Sequence, residues 1–363
     1  MRKIGPFLII LAALMLSACQ STFGPDAIKR THPGYNNAIA NTLQQQMLLN
    51  LVRLKYREEP YFLKVTSITA AMSFSGDLGF GPSFDLAPGG NLIKPSFGIG
   101  YTDKPTVSYQ PLQGEDFLKN VLSPISLPAI LVLAQSGWHI ERVFGLCIER
   151  INQLYNARTA SGPTPKNEPL YRKFKEMLHL LHNLIAQRNI EMGPDKNNEG
   201  ISILFKARNK TQLDQLNTLG KMLNFKISKN RLALVNLNTN FLAQKQNQLT
   251  IRTRSILSVM FYLAHNITVP KKHIDAGLVT ITKTAQGDAF DWGNTPAGSS
   301  FKVLSSQERP KTAYLAIPYR NHWFYIEDND LHSKTTFMLL NQLFDLQSGQ
   351  TKFSGPTLTL PVR

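Results

Sequence analysis

Three clusters in this sequence carry side chains spaced for chemistry. Glu176, His179 and His182 stand at i, i+3 and i+6 of an apolar-periodic segment, a spacing that can present metal ligands on one helix face. Two-metal sites of that kind need a matching motif on another helix, and the sequence contains none, so no metal is assigned. Glu327, Asp328 and Asp330 gather just before the segment that opens at Leu331. They lack the glycine and bidentate glutamate of a calcium loop, whereas carboxylates at a helix N-terminus cap it and complement its dipole. The third cluster is Tyr319-Arg320-Asn321-His322-Trp323-Phe324-Tyr325, the most aromatic stretch of the chain, at a hairpin turn. Arg320, His322 and Trp323 are its candidate partner contacts, because arginine and tryptophan concentrate binding energy at interfaces. The competing expectation is that Trp323 and Tyr325 pack into the core of their own sheet. No G-x-S-x-G, H-E-x-x-H, P-loop or dinucleotide fingerprint occurs, so no catalytic residue and no cofactor is assigned and the chain is read as non-enzymatic.

The elements that must position these residues follow from hydrophobic period. Ile39, Leu43, Met47, Leu51 and Leu54 predict a helix over 37–57, closed by Pro60. Strict alternation over Ile68, Ala70, Met72 and Phe74 predicts a strand, and 97–109 reads as a hairpin turning at Asp103-Lys104-Pro105. This glycine–aromatic alternation is the pattern of membrane β-barrels, but a barrel within one chain needs at least about eight strands. Too few are visible here, so the segment is read as a small antiparallel meander, with strands contributed to a multi-chain assembly as the lesser alternative. Short helices are expected over 114–122 and 127–135, and a long amphipathic helix over 140–155 with Cys147 in its apolar stripe as a small core residue. Residues 159–169, rich in Gly and Pro, read as a linker. Beyond it come a helix over 171–188, a polar loop over 191–199 and a strand over 201–206. A helix over 211–223, a hairpin over 225–237 and a helix around 256–263 follow. Strands dominate from Leu278, with 314–319 paired to 323–327, a helix over 331–346 and a last strand over 357–360. The sum is an α+β fold of small antiparallel sheets packed with amphipathic helices, in two domains: 37–158 and 170–363.

The start of the chain has a different logic. Arg2 and Lys3 precede ten unbroken apolar residues, Phe7 to Leu16, followed by the small pair Ser17-Ala18. That is the layout of a secretory signal, too short to span a bilayer. Cys19 comes directly after Leu16-Ser17-Ala18, and the arrangement resembles the bacterial lipoprotein signal. The resemblance implies that 1–18 is removed, that Cys19 is the lipid attachment site with thioether-linked diacylglycerol and an acylated amine (palmitate among the chains), and that 19–36 is a lipidated tether. Multiple acyl chains hold a protein stably at a membrane, at about 0.8 kcal/mol per buried CH2. Gln20, rather than an aspartate, implies the outer membrane, with the body facing the periplasm.

Loss of Arg2 and Lys3 with 1–18 takes the formal charge from +16 to +14. A basic chain at that address meets anionic envelope polymers or lipids, or acidic envelope proteins, and nucleic acid is not an expected partner. The densest basic group, Lys206 to Arg231, also reads plainly as scattered solvated positions. The blocks "LQQQMLLNLVRLKYREEPYFLKVTSI", "PLQGEDFLKNVLSPI", "LAQSGWHIERVFGLCIERIN", "YRNHWFYIEDNDLHSKTTFMLLNQLFDLQSG" and "GPTLTLP" resemble, in this order, a family of bacterial envelope lipoproteins without an assigned reaction. They cover much of 43–363, while 159–249 is less similar. The expected role is a structural or assembly component, such as an accessory subunit of a secretion-system complex. The alternatives are a binding module for an anionic envelope polymer or lipid, and a cell-wall hydrolase.

Overall fold

The computed structural model describes residues 25–82, 93–194, 201–225, 232–238, 248–348 and 357–359. Cys19, the expected signal and the first part of the expected tether lie outside them. So do the second half of the polar loop and the first strand of the hairpin expected over 225–237, apart from Phe225. The fold is α+β. In chain order the elements begin with α1 (Pro25–Lys55), β1 (Leu63–Pro82) and β2 (Ile93–Pro111). Helices α2 (Glu115–Leu122), α3 (Leu127–Gln135) and α4 (Ile140–Cys147) come next, then the short strands β3 (Ile148–Ile151) and β4 (Leu154–Tyr155). There follow α5 (Arg172–Ala186), β5 (Ile190–Pro194), β6 (Ile201–Lys206), α6 (Lys210–Leu223), β7 (Leu232–Asn238) and β8 (Gln248–Thr253). The last group is α7 (Ile256–Ala264), α8 (Lys271–Asp275), β9 (Leu304–Ser306), β10 (Ala313–Tyr319), β11 (His322–Glu327), α9 (Leu331–Ser348) and β12 (Thr357–Thr359).

The chain forms two compact units: 1–60 with 118–348, and 61–117 with 349–363. Residues 159–169, expected as a linker, lie inside the larger one. There Ala160 and Thr164 are buried, and the Glu168 amide donates to the Lys283 carbonyl.

Among the described residues the larger unit has two sheets. One is mixed and six-stranded, in the order β4-β3-β8-β7-β6-β5, with a single parallel pair, β7 with β8. The other is antiparallel, in the order β10-β11-β9. Local chemistry explains the helices around them. Ser126 accepts from the Ala129 amide to start α3, Asn209 from Gln212 to start α6, and Ser255 from Ser258 to start α7. At α9, Asp330 accepts from both the amide and the hydroxyl of Ser333 while Asp328 pairs with Lys334, so these carboxylates cap a helix.

Several elements differ from the sequence reading. Helix α1 starts at Pro25 and runs through Pro33, so two thirds of the expected tether is helical. Its packed part begins at Met47, with Leu48, Leu51 and Val52 fully buried, while 32–42 stays mostly exposed. The expected helix over 140–155 ends at Cys147. Ile148 and Ile151 pair instead with Thr253 and Ile251 of β8, where β-branched side chains fit well. The Asn156 amide nitrogen donates to the Gly145 and Ile148 carbonyls at 2.7 Å, taking over acceptors that the helix leaves open. Apolar residues three apart fit a helix, but strand pairing decided, with a register shift between Ile148 and Arg150 accommodating the spacing. Cys147 is completely buried, and burial pushes its thiol up to about 12, as a core role requires.

The smaller unit is a three-stranded sheet, β12-β1-β2, dominated by one long antiparallel hairpin. Its arms are 20 and 19 residues long, and after a bulge at Val65/Ser67 the register is unbroken from Ile68↔Val107 to Pro82↔Ile93. There is no turn at 103–105, since Asp103, Lys104 and Pro105 pair with Met72, Ala71 and Ala70. Proline is tolerated because β2 is an edge strand. Alternate register positions divide the hairpin sharply. One face carries Ile68, Met72, Phe74, Leu78 and Phe80, paired with Val107, Asp103, Tyr101, Phe97 and Pro95. The other carries Ser67, Thr69, Ser73, Ser75 and Asp77, paired with Ser108, Thr106, Thr102, Gly100 and Gly98.

Candidate functional site

The candidate surface is assembled where α1 ends and the β10–β11 hairpin turns. Helix α1 closes in a Schellman arrangement: the Glu58 amide donates to the Arg53 carbonyl at 2.9 Å and the Arg57 amide to Leu54 at 3.1 Å. Arg57 takes the left-handed position that glycine usually fills, at φ 62°, and its guanidinium donates to Thr280 Oγ1 at 2.7 Å. Tyr56 and Glu58 are thereby presented together.

Arg320 and Asn321 form a two-residue turn with φ of 49° and 60°. Two positive φ values suit the twist of a hairpin, and asparagine adopts them readily, but a bulky arginine rarely does. Side-chain contacts hold Arg320 there. Its Nη2 donates to Glu58 Oε1 at 2.8 Å, its Nε to Tyr319 Oη at 3.2 Å, and its guanidinium lies 5.3 Å from the Tyr56 ring centre. The hydrogen bonds to Glu58 and Tyr319 raise Arg320 further above its ordinary value. For Glu58, burial pushes upward, but hydrogen bonds from Arg320 and Tyr319 outweigh it and leave the carboxyl below its usual range.

Beside this pair stand two histidines. Burial, then His322 and Arg320, lowers His273, so its ring is neutral near pH 7. Burial, then Tyr319, raises the Tyr56 phenol and keeps it protonated. The Tyr56 hydroxyl therefore donates to His273 Nδ1, at 2.7 Å, and the His322 ring meets His273 edge-on at 4.8 Å. Trp323 does not enter the core. Phe324 and Ile326 are fully buried, while His322, Trp323 and Tyr325 alternate with them as half-buried residues. The Arg309 guanidinium lies 5.3 Å from the Trp323 ring centre. Arg320, His322 and Trp323 are thus brought together on one hairpin end, with Tyr56, Glu58, Tyr319 and His273 as supports. Sequence reasoning missed Tyr56, Glu58 and His273, because nothing in their spacing links them to residue 320.

Lys55, next to Tyr56, turns inward. Its Nζ donates to the His265 carbonyl at 2.9 Å, and burial lowers it to about 8. Because the folded value lies below the ordinary one, the unfolded chain binds the extra proton between them. Stability therefore rises with pH across about 8 to 10.5, and the charged form is the strained one at pH 7. Lys55→Met is expected to stabilise the protein by about 3 kcal/mol at pH 7, less the lost hydrogen bond. Denaturation of both proteins from pH 7 to 10.5 checks this: the gap should close as pH rises, and a constant gap would contradict it.

The Glu176-His179-His182 set is dispersed. His179 Nδ1 sits 3.3 Å from Glu141 Oε1, and the His182 ring stacks on His139 at 4.2 Å. Glu176 and His179 line a groove of about 700 Å³ with Glu141, Lys175 and Asn294. Among the described residues no three or more His, Cys, Asp or Glu side chains converge as metal ligands. The basic stretch is spread out as well, with Lys206 paired to Glu191 at 2.8 Å, Arg208 in the connection after β6 and Lys210 on α6. No protein-family model matches the chain, and no curated protein or solved structure is similar to it.

Proposed function

We propose that the chain is an outer-membrane lipoprotein, anchored through Cys19 and facing the periplasm, that serves as a non-enzymatic component of a multiprotein envelope assembly such as a secretion apparatus. The observation that carries this reading is Ser17-Ala18-Cys19 directly behind a basic start and ten apolar residues ending in Leu16. The short distance from Cys19 to the first helix among the described residues supports it. Pro25, the start of α1, stands six positions after Cys19, so the helix begins within about 20 Å of the acylated residue even on a fully extended chain. No helix among the described residues is long and apolar enough to cross a membrane. The Arg320 turn adds a contact surface held in place before any partner arrives, and such preorganisation lowers the ordering cost of binding.

Fractionation of Cys19→Ser tests the anchor. The variant is expected to lose its acyl label and its outer-membrane sorting, and retention of both would contradict the proposal. Gentle detergent extraction tests the assembly role. The wild-type chain should migrate in a particle several times the mass of one chain, and a free monomer would contradict it.

A further inference from the structure

We propose that the β1–β2 hairpin is a membrane-spanning arm, and that copies of this chain join their arms edge to edge into a water-filled β-barrel channel. This rests on the reading that Cys19 holds the chain at a bilayer. Three properties of the hairpin lead there. The first is its two faces. From Ile68↔Val107 to Pro82↔Ile93, the positions of one face are apolar except for Gly76 and Asp103. The positions of the opposite face are Ser, Thr, Gly, Ala, Asp or Lys, with nothing apolar larger than Ala71. Strands of transmembrane barrels alternate in this way, apolar toward lipid and polar toward the lumen.

The second property is length. Strands in globular proteins run to about 5–6 residues, and an isolated two-stranded ribbon is marginal in water. Here nine consecutive register pairs, Phe74↔Tyr101 to Pro82↔Ile93, have no charge on the apolar face. At about 3.3 Å per residue and a tilt of roughly 40°, nine residues rise about 23 Å, close to the apolar band of such barrels. The exception, Asp103, falls two positions outside this stretch, and Tyr101 stands at its border, where barrels place aromatic girdles.

The third property is the edges. Among the described residues β2 pairs with β1 alone, and from Ala70 to Pro82 the other edge of β1 pairs with no strand, β12 meeting it at Ser67–Thr69. Within hydrocarbon every backbone polar group needs a partner, so an open hairpin cannot stand there. Neighbouring copies offer the same two edges, and a ring of them satisfies both. The smallest known barrels have eight strands, so at least about four copies are required. The polar face carries Lys94 and Lys104 against Asp77, one net positive charge per copy, and a lumen so lined prefers anions.

The test uses the full acylated chain, extracted in detergent and reconstituted into planar phosphatidylethanolamine–phosphatidylglycerol bilayers. Stepwise conductance with anion preference is expected. Leu78→Arg, on the apolar face, should lower channel activity at least a hundredfold, while Lys94→Glu with Lys104→Glu should keep conductance and reverse the selectivity toward cations. Because Leu78→Arg could fail in assembly, single cysteines carrying an environment-sensitive dye give an independent reading. Cys147 is buried and Cys19 is taken up by lipid, so an introduced thiol is labelled cleanly. Labels at Phe74→Cys, Leu78→Cys and Phe80→Cys should be quenched by quencher-bearing lipids, and labels at Ser73→Cys, Ser75→Cys and Gly79→Cys by aqueous iodide. An acylated multimer with no conductance and no alternation of quenching overturns the channel while leaving the anchor intact, and would mean that the arm packs on a partner protein. Conductance from a chain without acyl groups would overturn the anchor instead.

Discussion

Replacing Arg254 by leucine is expected to cost at least about 4 kcal/mol and to lower the melting temperature of the larger unit by roughly 10 °C or more. Arg254 is the largest fully buried side chain among the described residues. Its guanidinium donates to the carbonyls of Ile148 at 2.8 Å and Ala157 at 3.2 Å, to the Asn156 carbonyl, and through Nε to Ser161 Oγ. It also lies 4.3 Å from the centre of the Tyr262 ring, whose hydroxyl donates to Asn156 Oδ1. One cation therefore ties the end of α4, strand β3, the segment after β4 and helix α7 together. Leucine would fill much of the space but leave several buried carbonyls without a donor, at about 1–3 kcal/mol each. Arg254→Lys should lose nearly as much, because an ammonium cannot reproduce the planar fork. Chemical denaturation measures both variants. A loss below 1 kcal/mol in the leucine variant would show that the guanidinium network is not what fixes this junction.

Acid is the second large effect. His265 is buried against Trp292, with ring centres 4.4 Å apart. Gly298 helps shape that wall, since a Cβ there would overlap the Trp292 carbonyl oxygen. The His265 Nε2–H donates to the Ala160 carbonyl at 3.1 Å, and Nδ1 accepts from Thr164 Oγ1 at 3.2 Å. Burial first, and then the nearby Lys55 and Arg254 charges, push its value down to about 3. The folded value is depressed, so between about 3 and 6.5 only the unfolded chain takes up the proton. The stability is fully present above 6.5 and is lost as pH falls toward 3. The loss should be about 2 kcal/mol at pH 5 and roughly 4 kcal/mol at pH 3. Carboxylates titrate in the same range, so the comparison is with His265→Gln. That variant should be weaker at pH 7 but show a flatter acid profile by the same amounts, and parallel profiles would contradict the assignment.

What the sequence disclosed and what it hid divide along physical lines. Helices α3, α7 and α9 were legible because a capping residue opens an apolar segment, and α5 because its apolar period is clear without one. The β10–β11 hairpin was legible because alternation flanks a short polar turn. The strand pair β3–β4 was not, since Ile148, Ile151 and Leu154 fit a helix until β8, a hundred residues later, supplies the pairing. The continuity of β2 was hidden by Asp103-Lys104-Pro105, a turn signature that an edge strand can absorb. Of the candidate site, Arg320, His322 and Trp323 stood out by composition. Tyr56, Glu58 and His273 did not, because they join the turn only through tertiary packing. Arg254 was equally silent, since a lone arginine looks the same in sequence whether solvated or buried.

The central claim is that Cys19 becomes the acylated first residue of an envelope component, and the intact mass of the chain isolated from membranes tests it most directly. The account predicts a chain that begins at Cys19 and carries the added mass of a diacylglyceryl group and one further acyl chain. A chain that retains residues 1–18, or one cut elsewhere with an unmodified thiol at Cys19, would contradict it.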